Sequence, residues 1–296
     1  MVIPPLVKKG DRVALCASSF APFPDAVANC AAFYTSLGCV VELKYNPAEH
    51  HFNFAATDEQ RLEHLQAALD DPGIVAIQFI RGGYGLSRII DRIDFSGFVK
   101  YPKWLIGFSD VTLLMLAATK LGVACVHGPM GSHLVAHNPG VDALAGLLTN
   151  YTYNVQTPCS GANIDVVGPV TGGNVTLLAH SIGGPFQPNL ANCVLLLEEV
   201  NEQYYHLDRM CLQLSAVSHL QQVACILGGH FTQMLGGHSQ IGETEVEILS
   251  HRFKAPVISG FPAGHAMPNF PLLIGPNLHL QVRKNQLSLK LAEQTI

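Results

Sequence analysis

Residues 100–122 read KYPKWLIGFSDVTLLMLAATKLG, and this stretch decides the fold. The apolar run at 104–106 predicts a short buried strand, and residues 111–121 predict an amphipathic helix that ends at a glycine. The four residues between them turn the chain and contain one hydroxyl group, that of Ser109. A strand that passes through a short turn into a helix is the repeating unit of doubly wound α/β folds.

The sequence on either side of this stretch continues to show strand and helix patterns. Upstream, strand-like runs such as GIVAIQFI alternate with helical segments, one of which begins with a capping box at Thr57. From about residue 150 the chain becomes polar and rich in turn residues, as expected for a linker followed by strands. We therefore predict an α/β protein with an N-terminal, doubly wound, mostly parallel sheet domain over residues 1–155. A smaller, β-rich α/β domain is predicted over residues 165–296.

Composition excludes several classes of protein. The 296 residues are 48% hydrophobic and 13% charged, which is enough apolar material for a large core. A formal net charge of −5 gives no electrostatic reason to bind nucleic acid or an anionic membrane surface. No window approaches the roughly 18 uninterrupted apolar residues of a transmembrane helix. The first residues lack the order of a signal peptide, so we predict a cytoplasmic protein.

The metal-binding residue types show no metal-binding spacing. The eight cysteines form no C-x-x-C pair, which is typical of small core residues in a reducing compartment. The fourteen histidines include no H-E-x-x-H. We predict neither a metal site nor a cofactor.

The position of Ser109 has two interpretations. A serine at a sharp strand-to-helix turn can expose its hydroxyl as a nucleophile, with positive helix dipole behind it. A serine before an aspartate at a helix start is also a common N-cap. The usual elbow is G-x-S-x-G, and here Val111 occupies the last position. The glycine loop IRGGYGLSR, residues 80–88, could direct backbone N–H groups at an oxyanion or equally cradle a phosphate.

A nucleophilic serine requires a base, and the base requires an orienting acid. Glu198 ends the strand-like run CVLLLE, and His265 lies in the glycine- and proline-containing loop GFPAGHAMPN. The alternative is that Glu198 is a solvated strand end and His265 an ordinary loop histidine. The residues by themselves leave both interpretations open.

Several long stretches resemble one family. They include LIGFSDVTLL, GGNVTLLAHSIGGPFQPNL, LLLEEVNEQYYHLDRMCLQL and PVISGFPAGHAMPNFPLLIG. The chain resembles the LD-carboxypeptidases, or murein tetrapeptide carboxypeptidases, which are serine peptidases related to the microcin C self-immunity peptidases. The resemblance implies an N-terminal α/β domain, a smaller C-terminal domain rich in β structure, and a Ser-His-Glu triad.

Residue by residue, the resemblance assigns the nucleophile to Ser109, the acid to Glu198 and the base to His265. Phe108 stands where the family pattern has tyrosine, and Glu199 where aspartate is commoner. Alternation along a strand allows only one of the two glutamates to face the histidine. The position in the motif selects Glu198.

Further assignments follow from position along the chain. The Asp110 N–H follows the nucleophile and a glycine of the RGGYG loop can approach it, so the Gly83 and Asp110 N–H groups are predicted to form the oxyanion hole, with Gly82 as the alternative to Gly83. Arg81, with Gly82 beside it, is the candidate for binding the substrate through its terminal carboxylate, although a salt bridge at the sheet edge would explain Arg81 equally well. The reaction that the resemblance implies is hydrolysis of the amide bond before the terminal D-Ala of murein tetrapeptide, in peptidoglycan recycling. The resemblance also implies a homodimer.

Two alternatives have different chemistry. One is a serine amidase that acts on peptidyl- or acyl-nucleotides, like the microcin immunity relatives. The other is a non-catalytic binding protein that retains the fold and holds an anion in the RGGYG loop.

Overall fold

The computed structural model describes residues 1–217, 223–237 and 241–292. It contains two compact units. The first comprises Met1–Thr152 with Phe270–Leu272, and the second comprises Tyr153–Asn269 with Leu273–Ile296. Each unit is organised around one β-sheet.

Strands and helices alternate in the first unit. It contributes the strands β1 Arg12–Cys16, β2 Val40–Lys44, β3 Ile74–Phe79, β4 Trp104–Gly107 and β5 Cys125–His127 to the six-stranded sheet, whose edge strand is β11 Leu272–Ile274. Its helices are α1 Pro24–Ser36, α2 Asp58–Asp70, α3 Ser96–Lys100, α4 Thr112–Lys120 and α5 Pro139–Asn150. The strand order is β11-β5-β4-β3-β1-β2, and the pairs from β5 to β2 are parallel.

Local sequence explains these elements. Thr57 accepts a hydrogen bond from the Gln60 backbone N–H while the Gln60 side chain accepts one from the Thr57 N–H, so α2 begins with the predicted capping box. Leu65, Ala68 and Leu69 form its buried face. Strand β3 is buried at five of its six positions, as expected for a central strand covered on both faces.

The second unit contains a mixed sheet. Its strands are β6 Asn154–Pro158, β7 Ile164–Asn174, β8 Val194–Val200, β9 Cys225–Thr232, β10 Val257–Ser259, β12 Asn277–Arg283 and β13 Gln286–Leu291. Its helices are α6 Val175–Ser181, α7 Tyr204–Ser215 and α8 Glu245–Arg252. The order is β10-β9-β8-β7-β12-β13-β6, with parallel pairs from β10 to β7 and antiparallel pairs from β7 to β6.

The predicted fold class is confirmed: a mostly parallel six-stranded sheet is followed by a mixed seven-stranded sheet. A hairpin connects β12 to β13 through Lys284 and Asn285, both of which have positive φ. The polar stretch after residue 150 differs from expectation. It forms strand β6, which pairs with β13, where a linker was expected.

All eight cysteines are buried and free, as their apolar neighbours predict. Within the described ranges, no helix has both the length and the apolar character needed to cross a membrane. The parallel sheet of the first unit determines where its functional loops lie. The segments that follow β1, β3 and β4 leave adjacent strands at their carboxyl ends, and the predicted nucleophile is on one of them.

Candidate active site

Ser109 stands at a strained turn between β4 and α4. Its φ is +60°, in the left-handed region that a non-glycine residue seldom adopts. A short 3₁₀ helix, Ser109–Val111, leads into α4. The cap of that turn is Phe108, and no side-chain hydrogen bond caps either helix. The N-cap interpretation of Ser109 is therefore wrong, and the geometry is that of a nucleophile elbow.

The predicted glycine loop lies against this turn. A Cβ at Gly82 would be 2.9 Å from the Ser109 Cβ and 3.1 Å from its Oγ, so only glycine fits there. The same Cβ would be 3.5 Å from the backbone nitrogen of Asp110. The structure thus brings together Gly82, Ser109 and the Asp110 N–H.

Gly83 is the next residue of the loop. The Phe20 N–H donates to the Gly82 carbonyl at 3.3 Å, which fixes the orientation of the peptide that joins Gly82 to Gly83. In a trans peptide the N–H points opposite the carbonyl. The Gly83 N–H has no acceptor among the residues that the structure describes. It is therefore available to a ligand.

Asp110 adds a buried carboxylate beneath the turn. Its Oδ2 accepts one hydrogen bond from the Ser19 hydroxyl at 2.6 Å and another from the Leu86 N–H at 2.9 Å. Ser19 and Asp110 are both fully buried. This side chain joins the Ser109 turn to the loops that follow β1 and β3.

Arg81 has no carboxylate partner in the described part of the chain, so no salt bridge at the sheet edge accounts for it. Its Nη1 donates to the Ala21 carbonyl at 2.6 Å, and its guanidinium lies 4.2 Å from the centre of the Phe23 ring. Partial burial lowers the pKa of the Arg81 guanidinium. The remaining N–H groups of the fork are available to an anion.

Phe108, in place of the family's tyrosine, is buried and packs edge-on against His133 with ring centres 5.2 Å apart. His127 lies on another side at 5.7 Å. The ring fills its site without a hydroxyl.

The second unit contains an acid–histidine pair. Glu198 Oε2 and His265 Nδ1 are 2.8 Å apart. Glu198 is fully buried, and the His265 side chain is 18% exposed. An ionised carboxylate can only accept a hydrogen bond, so Nδ1 is the donor, and in the neutral imidazole the lone pair is then on Nε2. This is the state that a general base requires.

The surroundings of Glu198 fix its direction. Strand β8 pairs irregularly with β9 at this residue, because Leu197 opposes Gly228 whereas Glu199 opposes Phe231. Gly264 approaches the carboxylate with φ +121°, and a Cβ there would be 2.9 Å from Glu198 Oε2. The bulge and the close glycine together direct Glu198 toward His265.

Glu199 has different partners. Its carboxylate accepts hydrogen bonds from the Asn174 amide, the Thr176 N–H, the Thr176 hydroxyl and its neighbour's N–H at Val200, at 2.7–2.9 Å. Burial and the charge of Glu198 raise the pKa of Glu199, and these hydrogen bonds oppose the rise. Glu199 anchors the start of α6 and does not contact His265.

Two positioning groups of the histidine loop were missed by sequence reasoning. Asn269 is fully buried, and its Oδ1 accepts from the Gly264 N–H at 3.3 Å. His230 Nδ1 accepts from the Ala266 N–H at 3.3 Å. Asn269 lies in PVISGFPAGHAMPNFPLLIG, one of the stretches that resemble the family, and this was the signal that could have identified it.

Comparisons with known proteins agree with this organisation. Residues 13–128 match the LD-carboxypeptidase N-terminal domain, and residues 167–280 match the LD-carboxypeptidase C-terminal domain. The murein tetrapeptide carboxypeptidase of Pseudomonas aeruginosa is 31% identical over 252 residues, which cover 79% of each chain.

Solved structures show the same fold. The muramoyltetrapeptide carboxypeptidase from Oxalobacter formigenes has a TM-score of 0.83 at 27% identity, over 94% of this chain and 97% of that one. The microcin C7 self-immunity protein of Escherichia coli is 23% identical over 276 residues, 80% of each chain. Its unliganded structure has a TM-score of 0.87 at 20% identity over 100% of both chains, which is a likeness of fold alone.

Proposed function

The chain belongs to the LD-carboxypeptidase family of serine peptidases, and we propose that it hydrolyses the L,D-amide bond before the terminal D-Ala of murein tetrapeptide in peptidoglycan recycling. The observation that carries this proposal is the 2.8 Å contact between His265 Nδ1 and the buried Glu198 carboxylate. It supports a histidine base with its lone pair on Nε2. The strained backbone at Ser109 supports a serine nucleophile at the other family motif.

In the proposed reaction, Ser109 Oγ attacks the carbonyl carbon of the scissile amide while His265 Nε2 takes the hydroxyl proton. Glu198 stabilises the imidazolium that forms. The tetrahedral intermediate collapses, His265 returns the proton to the amine of the departing D-Ala, and an acyl-enzyme remains on Ser109. Water, activated by the same histidine, then hydrolyses the ester and restores the serine.

The oxyanion hole in this proposal consists of the Gly83 and Asp110 N–H groups. The available Gly83 N–H and the proximity of Gly82 to Ser109 support the assignment. Arg81 is proposed to bind the terminal carboxylate of the substrate with the unused edge of its guanidinium. The proposal includes a cytoplasmic location and a homodimer. The family resemblance implies the dimer, and light scattering of the purified protein tests it.

Nucleotide-linked substrates are less well supported. A nucleobase is commonly bound by stacking on an aromatic side chain such as tryptophan. Trp104 is the only tryptophan of the chain. It is fully buried in β4, where its indole N–H donates to the Pro5 carbonyl at 2.9 Å. It is therefore not available for stacking.

The test is incubation of the purified protein with L-Ala-γ-D-Glu-meso-diaminopimelate-D-Ala, with D-Ala release as the readout. We expect release by the wild type, none by Ser109→Ala, and no effect of EDTA. An acyl-sulfamoyl adenosine is the competing substrate. Cleavage of that compound without release of D-Ala would replace the peptidase by the amidase. Loss of activity in EDTA, with recovery on adding zinc, would overturn the serine mechanism.

A further inference from the structure

One carboxylate oxygen connects three loops of the first unit. Asp110 Oδ2 receives the Ser19 hydroxyl at 2.6 Å and the Leu86 N–H at 2.9 Å. Ser19 follows β1, Leu86 lies in the glycine loop after β3, and Asp110 follows β4. These strands are neighbours in the order β4-β3-β1. We call this set of three residues the Asp110 clasp.

The clasp acts on atoms that the proposed reaction uses. Asp110 supplies a backbone N–H next to Ser109, and Leu86 lies in the same glycine loop as Gly83. Because donors from two loops hold the Asp110 carboxylate oxygen, a shift of the Asp110 backbone strains or breaks a buried hydrogen bond, which is costly. The same bonds fix the spacing between the two predicted oxyanion donors.

Ser19 has an internal control next to it. Ser18 is also buried, but its Oγ has no hydrogen-bond partner among the described residues. The Ser18 backbone carbonyl accepts from Arg61, and a side-chain substitution does not remove that bond. Two adjacent buried serines therefore differ in one respect that matters here, namely whether the hydroxyl reaches Asp110.

From these contacts we infer that Ser19 is a positioning residue of the nucleophile turn, acting through the Asp110 carboxylate. The inference rests on the proposed function. Ser19 does not touch the reacting atoms. It holds the oxyanion donors in the geometry that the transition state needs, and a displacement of about 1 Å in such groups costs on the order of 100-fold in rate.

The experiment compares Ser19→Ala, Ser19→Thr and Ser18→Ala with the wild type. For each protein, kcat and KM for D-Ala release, the labelling rate of Ser109 with a fluorophosphonate probe and the thermal midpoint are measured. We expect Ser19→Ala to lower kcat and the labelling rate about 10–100-fold while KM stays within about 3-fold. Ser19→Thr keeps the hydroxyl and should restore most of kcat. Ser18→Ala should match the wild type.

The outcomes separate the two proposals. An active wild type with Ser19→Ala at the rate of Ser18→Ala overturns the positioning role and leaves the peptidase proposal standing. A wild type that neither releases D-Ala nor labels at Ser109 overturns both. If Ser19→Ala does not fold, Ser19→Cys replaces it, since the thiol has similar volume and is a weaker donor. A wild-type kcat in Ser19→Cys would then overturn the positioning role.

Discussion

The predicted reactive groups are held differently in the two units. In the first unit they are held by backbone conformation: Ser109 is at φ +60° and Gly82 packs against it with no room for a side chain. In the second unit the contact is between two side chains, Glu198 and His265. The first arrangement is therefore sensitive to added volume, and the second to a lost acceptor. Each prediction below tests one side of this difference.

The largest effect should come from removing either reactive side chain. Ser109→Ala and His265→Ala should each reduce D-Ala release by on the order of 10⁴–10⁶-fold, and the double variant should lose little more, because the members of a triad act as a unit. Thermal midpoints close to that of the wild type serve as the control for folding. Wild-type turnover in Ser109→Ala would show that the strained turn has another role.

Replacement of the predicted acid, Glu198, should cause the next largest loss of activity. Glu198→Gln keeps the volume but offers the amide in place of a carboxylate, so the histidine loses the charge that stabilises its imidazolium. We expect about 10³–10⁴-fold loss of kcat, measured by D-Ala release. Glu199→Gln is the matched control, and its kcat should stay within about 10-fold of wild type because its side chain contacts α6. If Glu199→Gln lost more kcat than Glu198→Gln, Glu199 would be the acid of the triad in place of Glu198.

Added volume at the turn should have an intermediate effect. Gly82→Ala introduces a methyl group 2.9 Å from the Ser109 Cβ, so the turn must shift. We expect kcat to fall about 10–100-fold. Gly146→Ala is the control, since Gly146 lies inside α5 and a Cβ there has no contact closer than 3.6 Å. Equal activity of the two variants would mean that the glycine loop is not tightly packed against the nucleophile.

The sequence predicted most of the first unit because its signals are local. Each βα unit shows its own periodicity, and the capping box at Thr57 is readable from four residues. Strand pairings between distant segments leave no such local sign. Strand β6 pairs with β13 about 130 residues later, and β11 lies at the edge of the first sheet. These contacts depend on the folded chain and not on the pattern of any one stretch.

The site shows the same limit. Ser109, Glu198 and His265 were predicted from family motifs, because reactive side chains occur in short, specific patterns. Ser19, the proposed positioning residue, and Asn269 each make a single hydrogen bond to a group that is close only in the fold. A buried serine or asparagine has no periodicity that would distinguish it from other small polar residues.

Glu199 should matter for stability more than for turnover. Its two oxygens accept four hydrogen bonds, so a glutamine must direct its NH₂ at a backbone N–H, either that of Thr176 or that of Val200. We expect Glu199→Gln to destabilise the protein by about 1–3 kcal/mol. Each kcal/mol should lower the thermal midpoint by about 2–4 °C in a protein of this size range. Glu63→Gln, on the exposed face of α2, should leave the midpoint unchanged.

The smallest expected effect is the pH dependence of the stability difference between the wild type and Glu199→Gln. Burial, and then the charge of Glu198, raise the pKa of Glu199 in the folded protein above its ordinary value of 4.5. The folded state therefore binds this proton more tightly than the unfolded chain does. Its contribution to stability is fully present below pH 4.5 and is lost as the pH rises through the folded pKa.

Glutamine does not titrate. The thermal midpoint of the wild type should therefore exceed that of Glu199→Gln by the largest amount near pH 4, and the excess should decline toward pH 7. The measurement is a series of thermal melts of both proteins across that range, with Glu63→Gln as the reference for general pH effects. A difference that grows toward pH 7 would mean that the four donors outweigh burial and the repulsion from Glu198. In that case Glu199 would stabilise the start of α6 most strongly as an ionised carboxylate. The Glu198–His265 pair would then have a second full negative charge beside it.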